Sequence, residues 1–296
     1  MTYLSIILKE LLKNLKKVSK IRIFNKEYIL KFIDLPMTYF ELVNQHKFVS
    51  FLRKNGILTP KIYFSRFLSI FKIELQEYVY TSNEKYSDKE IVSSLATFHD
   101  VSYLYKEVYA KKKYYKVKQQ CNNIFIDKIL IEFKEKYYFF PVKNVDRNDI
   151  KKLYNLFYNE FILHYYKEDC IIHNDISFNN MYFHNNDVCI IDFDFSVKGS
   201  IYVDFVDTIV KRTYSINTIS EQLIKKHNLE KYIEIYNKKS NNFYLDYKGC
   251  LLMIGLKVLA YNFFVLSQSN SKEKFKKNLT EIKNLLELLK GEYYDN

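Results

Sequence analysis

The chain has 296 residues, of which 48% are hydrophobic and 18% aromatic, so it can bury a large core and is not a disordered chain. Its formal net charge is +12, yet only five of the 46 basic residues are Arg. Because Arg is the residue that bidentate recognition of bases and phosphates favours, we expect no nucleic-acid partner, and the charge favours small anionic ligands at most.

The cysteines and the apolar runs predict a cytoplasmic chain. The four cysteines show no Cys-x-x-Cys spacing, which favours reduced thiols over a disulfide framework or a zinc site. No apolar run has the length needed to span a bilayer. The first twenty residues have apolar positions at helical spacing and lack the pattern of a signal peptide, so we expect an amphipathic helix packed on the body.

Strand-like runs dominate the first 80 residues. They occupy 20–24, 28–33, 61–65, 67–73 and 75–80. Lys31 lies inside the second run, where a lysine is usually just part of the solvated face. Between the strands, Thr38 and Glu41 form a capping box that begins a helix, and Gly56 is a typical residue beyond a helix end. The buried face of that helix is predicted to consist of Leu42, Phe48, Val49 and Leu52.

Beyond about residue 81 the pattern becomes helical. Ser87 and Glu90 form a second capping box. Further helical stretches are predicted at 105–170, 203–213, 218–239, 243–268 and 271–290. Polar residues at 81–83 mark a boundary. The sequence therefore predicts an α+β chain with a small β-rich N-terminal lobe (1–81) and a larger, mostly helical C-terminal lobe (82–296).

The segment 171–195 carries the residues best suited to chemistry. His173, Asp175 and Asn180 form the pattern His-x-Asp-x₄-Asn, and the β-like run after them ends in Asp192-Phe193-Asp194. Phosphoryl transfer needs a carboxylate beside the attacking hydroxyl and oxygen ligands that hold Mg²⁺ on the nucleotide phosphates. This segment supplies both kinds of group. The alternative is an ordinary β-hairpin after a polar loop.

These residues resemble the catalytic loop and metal strand of the aminoglycoside phosphotransferase/choline kinase superfamily, which has the protein-kinase-like two-lobed fold. The usual family form is His-Gly-Asp-x₄-Asn followed by Ile-Asp-Phe or Ile-Asp-Trp. Asn174 replaces the glycine, and Asn enters left-handed conformations more readily than most residues. YILKF, GILTPKIYF, LQEYVY and LATFHDVS resemble four further family segments. Within the superfamily, IDFD and the aromatic helices near the end look most like the spore-coat kinase-like branch.

The resemblance assigns roles within the segment. Asp175 would orient the acceptor hydroxyl and take its proton late in the transfer. His173 would hydrogen-bond the backbone around the catalytic loop rather than perform chemistry. Asn180 and Asp192 would hold Mg²⁺. Asp194 would either complete the metal shell or contact a cationic substrate.

The resemblance also implies a nucleotide site. Lys31 would contact the α- and β-phosphates. Its partner in the family is a Glu on the following helix, a position that counting back from Gly56 gives to Gln45, while Glu41 lies one turn earlier and is also part of the capping box. The purine would be held by backbone groups of the hinge residues Glu77, Tyr78 and Val79.

The implied function is a Mg²⁺-dependent small-molecule kinase, an enzyme that transfers the γ-phosphate of ATP or GTP to a substrate hydroxyl. Its partners would be a nucleotide and a small hydroxyl-bearing substrate. No glycine precedes Gly56, so a Gly-rich loop over the phosphates is missing. The alternative is therefore a weak or inactive member of the fold with a structural role, for example in a spore coat. The acceptor, ATP versus GTP and the oligomeric state are left open.

Overall fold

A computed structural model describes residues 18–23, 25–33, 38–63, 70, 72–80, 87–107, 168–176, 180–184, 187–213 and 227–254. Within these ranges the strands are β1 (Val18–Ile23), β2 (Lys26–Phe32), β3 (Ile62–Tyr63), β4 (Ile73–Glu77), β5 (Cys170–Ile172), β6 (Met181–His184), β7 (Asp187–Ile190) and β8 (Val197–Gly199). The helices are α1 (Tyr39–Lys54), α2 (Asp88–Tyr103), α3 (Ile201–Thr213) and α4 (Asn228–Lys239), with a 3₁₀ turn at Phe193–Phe195. A further helix begins at residue 247 and is described as far as residue 254.

The first four strands form one antiparallel sheet in the order β1-β2-β4-β3. Asn25, with φ at 60°, makes the tight turn between β1 and β2, because Asn tolerates the left-handed region. The β2–β4 register places Lys31 directly opposite Glu74. The strand-like runs predicted at 20–24 and 28–33 correspond to β1 and β2.

Helix α1 begins and ends where the sequence predicts. The Thr38 backbone N–H donates to Glu41 Oε2 at 2.7 Å, and the Glu41 N–H donates to the Thr38 hydroxyl at 3.3 Å. Gly56 follows the helix at φ 84°, a conformation that costs a residue without a Cβ little. The predicted buried face is confirmed at Leu42, Phe48, Val49 and Leu52. Helix α2 starts with the same type of capping box, from Ser87 to Glu90.

The second part of the described chain is mostly helical. Its core joins Phe98 of α2, Ile172 of β5, Phe205 of α3 and Tyr236 of α4. Strand β5 pairs with β8, and β6 forms a hairpin with β7. A small N-terminal sheet followed by a mostly helical part is the fold class that the sequence predicts.

Several predicted boundaries differ from the structure. The expected single helix over 218–239 is wrong at His227, whose left-handed φ of 53° precedes the start of α4 at Asn228. The next helix begins at 247 rather than 243, and the end of the expected helical stretch at 105–170 is the first residue of β5. The helix expected over the first twenty residues is wrong at 18–20, which begin β1. The predictions at 1–17, 81–83, 218–226, 255–268 and 271–290 and most of those at 67–73 and 105–170 lie outside the described residues.

Two hydrogen bonds connect the β6–β7 hairpin to the N-terminal part. The Ile190 N–H donates to the Leu58 carbonyl at 2.9 Å. The His184 Nδ1–H donates to the Tyr80 carbonyl at 2.9 Å. These bonds hold the segment after β7 close to the N-terminal sheet. None of the helices in the described ranges is both long enough and apolar enough to cross a bilayer.

Candidate active site

One buried carboxylate holds the backbone at the start of the catalytic loop, whose described residues are 173–176 and 180. Asp204, in the first turn of α3, accepts from the His173 N–H with Oδ2 and from the Asn174 N–H with Oδ1, both at 2.6 Å. Asn174 has the left-handed φ of 62° expected from the sequence, and its side-chain amide donates to the Phe195 carbonyl at 3.3 Å. The start of the loop, at His173 and Asn174, is therefore held from α3 on one side and from the 3₁₀ turn on the other.

Asp204 is itself oriented by α2. It is fully buried, and the His99 Nε2–H donates to its Oδ2 at 3.3 Å. The other ring nitrogen of His99 accepts from the Tyr236 hydroxyl at 2.7 Å. Burial alone would raise the pKa of Asp204, but the hydrogen bonds that it accepts from the His99 Nε2–H and the His173 N–H keep that pKa below its ordinary value.

We expect Asp204→Ala to lower the free energy of unfolding by about 3–5 kcal/mol, because it leaves two loop N–H groups and His99 without their acceptor. Urea unfolding measures the loss. The matched control is Asp169→Ala, which removes the acceptor of the Ile201 N–H at the start of α3 and should cost only about 1 kcal/mol. Equal losses in the two variants would contradict the network.

His173 connects the loop to the end of the β7 segment. Its Nε2–H donates to the Ile191 carbonyl at 2.8 Å, and its ring centroid lies 5.0 Å from that of Phe193. The side chain is fully buried, and burial lowers the pKa of the imidazole although the Asp204 charge acts in the opposite direction. This geometry supports the loop-holding role predicted for His173.

The lowered pKa of His173 predicts a pH dependence of stability. The folded state binds fewer protons than the unfolded chain, whose His pKa is about 6.5, so the stabilisation is complete above about pH 6.5 and is lost as the pH falls. In His173→Gln the decline between about pH 7 and 5 should be shallower, by at most about 1.4 kcal/mol per pH unit. Chemical unfolding across this range tests it. The exposed His227→Gln is the control, and equal slopes in both variants would contradict the assignment.

The structure brings Lys31 of β2 to the carboxylates after β7. The Lys31 Nζ lies 2.5 Å from Asp192 Oδ1 and 2.9 Å from Asp194 Oδ2. Burial of Lys31 would lower its pKa, but the charges of Asp194, Asp192 and Glu74 outweigh burial and raise the pKa above its ordinary value. The Lys31 ammonium therefore lies between Asp192 and Asp194, two of the residues predicted to bind the metal.

The side chains predicted to hold Mg²⁺ are of the chemical types that this ion prefers. The Asn180 Nδ2 donates to the Asp175 carbonyl at 2.8 Å and to the Asp175 Oδ2 at 3.3 Å. These hydrogen bonds occupy the amide nitrogen and leave the amide oxygen of Asn180 as the atom suited to bind a metal. The described ranges contain no group of three or more His, Cys, Asp or Glu side chains placed to hold a metal. Two carboxylates and an amide suit Mg²⁺, which keeps waters and completes its shell with phosphates.

The two other residues predicted around Lys31 have different neighbours. Gln45 of α1 donates from Nε2 to Asp194 Oδ1 at 3.2 Å, so its described hydrogen bond reaches a carboxylate rather than the lysine. Glu41 accepts from the Thr38 backbone and hydroxyl, as its place in the capping box requires. Lys31, Gln45, Asp192 and Asp194 therefore form one cluster, in which Asp192 is half-buried and the other three are buried; we call it the lysine–aspartate cluster.

The hinge residues differ in what they leave for a purine. The Glu77 N–H donates to the Lys61 carbonyl at 2.8 Å, and the Tyr78 N–H donates to the Glu27 carbonyl at 3.4 Å. Within the described ranges, the Val79 N–H has no backbone acceptor. Of the three residues predicted to hold the purine, Val79 is thus the one whose N–H is not bonded to a backbone carbonyl of the described residues.

Comparisons with known proteins agree with this geometry. Residues 151–226 match the sequence model of the phosphotransferase enzyme family, APH. The microcompartment-associated aminopropanol kinase superposes with a TM-score of 0.59 at 12% identity over 95% of each chain. The chain has the fold of the aminoglycoside phosphotransferases and choline kinases. An aminoglycoside phosphotransferase from Alicyclobacillus acidocaldarius gives a TM-score of 0.56 at 9% identity over 94% of this chain and 89% of that one. Choline kinase LicA from Streptococcus pneumoniae gives a TM-score of 0.52 at 14% identity over 97% of this chain and 100% of that one.

The superfamily predicted from the sequence is therefore confirmed at the level of the fold. A comparison with curated protein sequences gives no match. The roles predicted for the individual residues remain predictions, although the structure places Lys31, Asp192 and Asp194 in contact.

The sequence analysis missed one polar group next to the site. Glu74 of β4 is buried, and the His46 Nε2–H of α1 donates to its Oε2 at 2.6 Å. The sequence feature that could have revealed it is a charged residue between Ile73 and Leu75 within a strand-like run. The strand register then places this residue opposite Lys31. Alternation alone would place Glu74 on a solvated face, whereas α1 covers that face.

Proposed function

We propose that the chain is a Mg²⁺-dependent kinase of small molecules that transfers the γ-phosphate of ATP or GTP to a substrate hydroxyl. The observation that carries the proposal is the lysine–aspartate cluster, in which a buried lysine of the N-terminal sheet meets two carboxylates beyond β7. The fold and the phosphotransferase family match over 151–226 support the same reaction class.

The nucleotide would be held from the N-terminal sheet and the hinge. Lys31 would exchange its carboxylate partners for oxygens of the α- and β-phosphates, and the Val79 N–H would donate to the purine. Asn180, Asp192 and Asp194 would hold Mg²⁺, which when bound neutralises charge on the phosphates. Since no glycine precedes Gly56, a Gly-rich loop does not contribute to phosphate binding.

The acceptor hydroxyl would lie beside Asp175. This side chain is only half-buried, and the hydrogen bond from the Asn180 Nδ2 to Oδ2 fixes its direction. A carboxylate is too weak a base to ionise an alcohol early, so Asp175 would mainly orient the hydroxyl and accept its proton late in the transfer. The proton would thus move to Asp175 as the hydroxyl oxygen bonds to the γ-phosphorus and the bond from that phosphorus to the β–γ bridging oxygen breaks, which releases ADP or GDP.

Two measurements test the proposal. Millimolar Mg·ATP or Mg·GTP should raise the unfolding temperature, because a ligand of the folded state stabilises it in proportion to the logarithm of its concentration over Kd. A screen for ADP or GDP release should then find an acceptor. The screen is weighted to alcohols that carry an amine, since the similar structures include kinases of aminopropanol and choline and an aminoglycoside phosphotransferase, and it includes sugars.

The outcomes separate the alternatives. Release that is absent from the Asp175→Asn protein identifies a substrate. Nucleotide binding without turnover on any acceptor would favour the inactive, structural member of the fold. An unfolding temperature that neither nucleotide changes would contradict the proposal.

A further inference from the structure

We infer that Glu74 of β4 is the positioning residue for Lys31, and that it supplies the negative charge which α1, with Gln45 at the expected place, does not. The inference rests on the proposed function in one respect, namely that Lys31 contacts the nucleotide phosphates. Glu74 itself would touch neither nucleotide nor metal. It would act through the lysine.

The strand register places the two side chains together. Lys31 and Glu74 are direct partners across β2 and β4, and residues opposite each other in an antiparallel pair project from the same face with Cβ atoms about 4.5–5.5 Å apart. Glu74 is 1% exposed and Lys31 6% exposed, so little solvent screens the charge of one from the other. Glu74 is one of three carboxylates whose charge acts on Lys31.

The carboxylate of Glu74 is held by donors on both oxygens. The His46 Nε2–H donates to Oε2 at 2.6 Å, and the Gln76 Nε2 donates to Oε1. An ionised carboxylate only accepts hydrogen bonds, so two donors fix its orientation and suit its charged form. A buried charge is costly unless it is paired and hydrogen-bonded, and Glu74 has both donors and a lysine opposite.

The arrangement on α1 explains why the charge is on the sheet. Gln45 uses an N–H to contact Asp194 Oδ1 at 3.2 Å. A carboxylate at position 45 would face Asp194 with like charge, which disfavours both ions. The amide therefore suits Asp194, and the next residue of the helix, His46, fixes Glu74 instead. Helix α1 thus hydrogen-bonds two of the carboxylates whose charge acts on Lys31, Asp194 through Gln45 and Glu74 through His46, while position 45 itself is uncharged.

The first experiment separates charge from packing. Glu74→Gln should raise the Kd of Mg·ATP or Mg·GTP, measured by titration calorimetry, by about tenfold, the scale on which residues that orient a ligand-binding group act. KM should rise with Kd, and kcat should change less. Glu74→Asp keeps the charge and should retain most of the affinity, although its shorter side chain costs at least as much stability.

A matched variant controls for destabilisation alone. Asp100→Asn weakens the hydrogen bonds that hold Ser240, Asn241 and Asn242, far along the chain from Lys31. It should lower the unfolding temperature without changing Kd. If Kd instead follows the unfolding temperature across Glu74→Gln, Glu74→Asp and Asp100→Asn, Glu74 is only structural and the inference is overturned.

A second experiment does not need a nucleotide. In a double-mutant cycle of Lys31→Met and Glu74→Gln, the urea midpoint of the double variant should fall by less than the sum of the two single losses, because each single change removes an opposite charge that acts on the buried charge left behind. Additive losses would overturn the inference. A wild-type chain that binds neither nucleotide would contradict the proposed function, and this cycle would still decide the role of Glu74.

Discussion

Asp192→Asn should abolish Mg²⁺-dependent nucleotide binding while the chain stays folded. Asp192 has φ 63° and ψ 62°, a left-handed conformation that Asn also tolerates, so the backbone is not strained by the change. The variant loses an anionic oxygen that Mg²⁺ requires. Titration calorimetry with Mg·ATP and Mg·GTP should show a loss of at least about a hundredfold in affinity, beyond what residues that merely orient a ligand contribute.

The resting structure provides a reason to expect an intact fold in that variant. Lys31 keeps Asp194 as a partner at 2.9 Å when the charge of Asp192 is removed. Asp187→Asn, at the exposed start of β7, is the control and should leave nucleotide affinity unchanged. Binding by Asp192→Asn with unaltered affinity and metal dependence would remove Asp192 from the metal site.

Asp175→Asn should lose turnover by about a hundredfold to ten-thousandfold and keep nucleotide binding. The amide can still accept the hydrogen bond from the Asn180 Nδ2, so the loop geometry survives. It cannot take the proton of the acceptor, and it orients a hydroxyl less strongly than a carboxylate does. The measurements are ADP or GDP release at saturating acceptor and the nucleotide Kd from calorimetry.

Asp100→Asn serves here as the control that should retain turnover. An Asp175→Asn protein with the turnover of the wild type would exclude Asp175 as the catalytic carboxylate. An equal loss of nucleotide affinity and turnover would instead indicate that Asp175 belongs to the nucleotide site.

Local features of the fold could be predicted because their signals lie within a few residues. The capping boxes at Thr38 and Ser87 are complete within four positions, and the structure shows both. The left-handed Asn174 follows from its place in a His-x-Asp turn. The break at His227 was missed because apolar periodicity does not indicate a left-handed backbone conformation. Glycine or asparagine would have suggested one, but His227 is neither.

The site could be predicted only in part, for the same reason. The motif puts Asp175, Asn180 and Asp192 in one segment, so their proximity is readable from spacing. The contact between Lys31 and Asp192 joins residues 161 positions apart, and only the family resemblance indicated it. No sequence motif indicates the hydrogen bond between His46 and Glu74, because this contact depends on how α1 packs on the sheet.

The position of the Lys31 ammonium has a consequence for the order of ligand binding. Because the lysine is tethered to the chain, it competes with a metal ion for Asp192 and Asp194 at a high effective concentration. Free Mg²⁺ alone would have to displace it without offering it another partner, whereas a nucleotide supplies phosphate oxygens for the displaced ammonium. Metal and nucleotide should therefore bind cooperatively, each increasing the affinity for the other by the same factor.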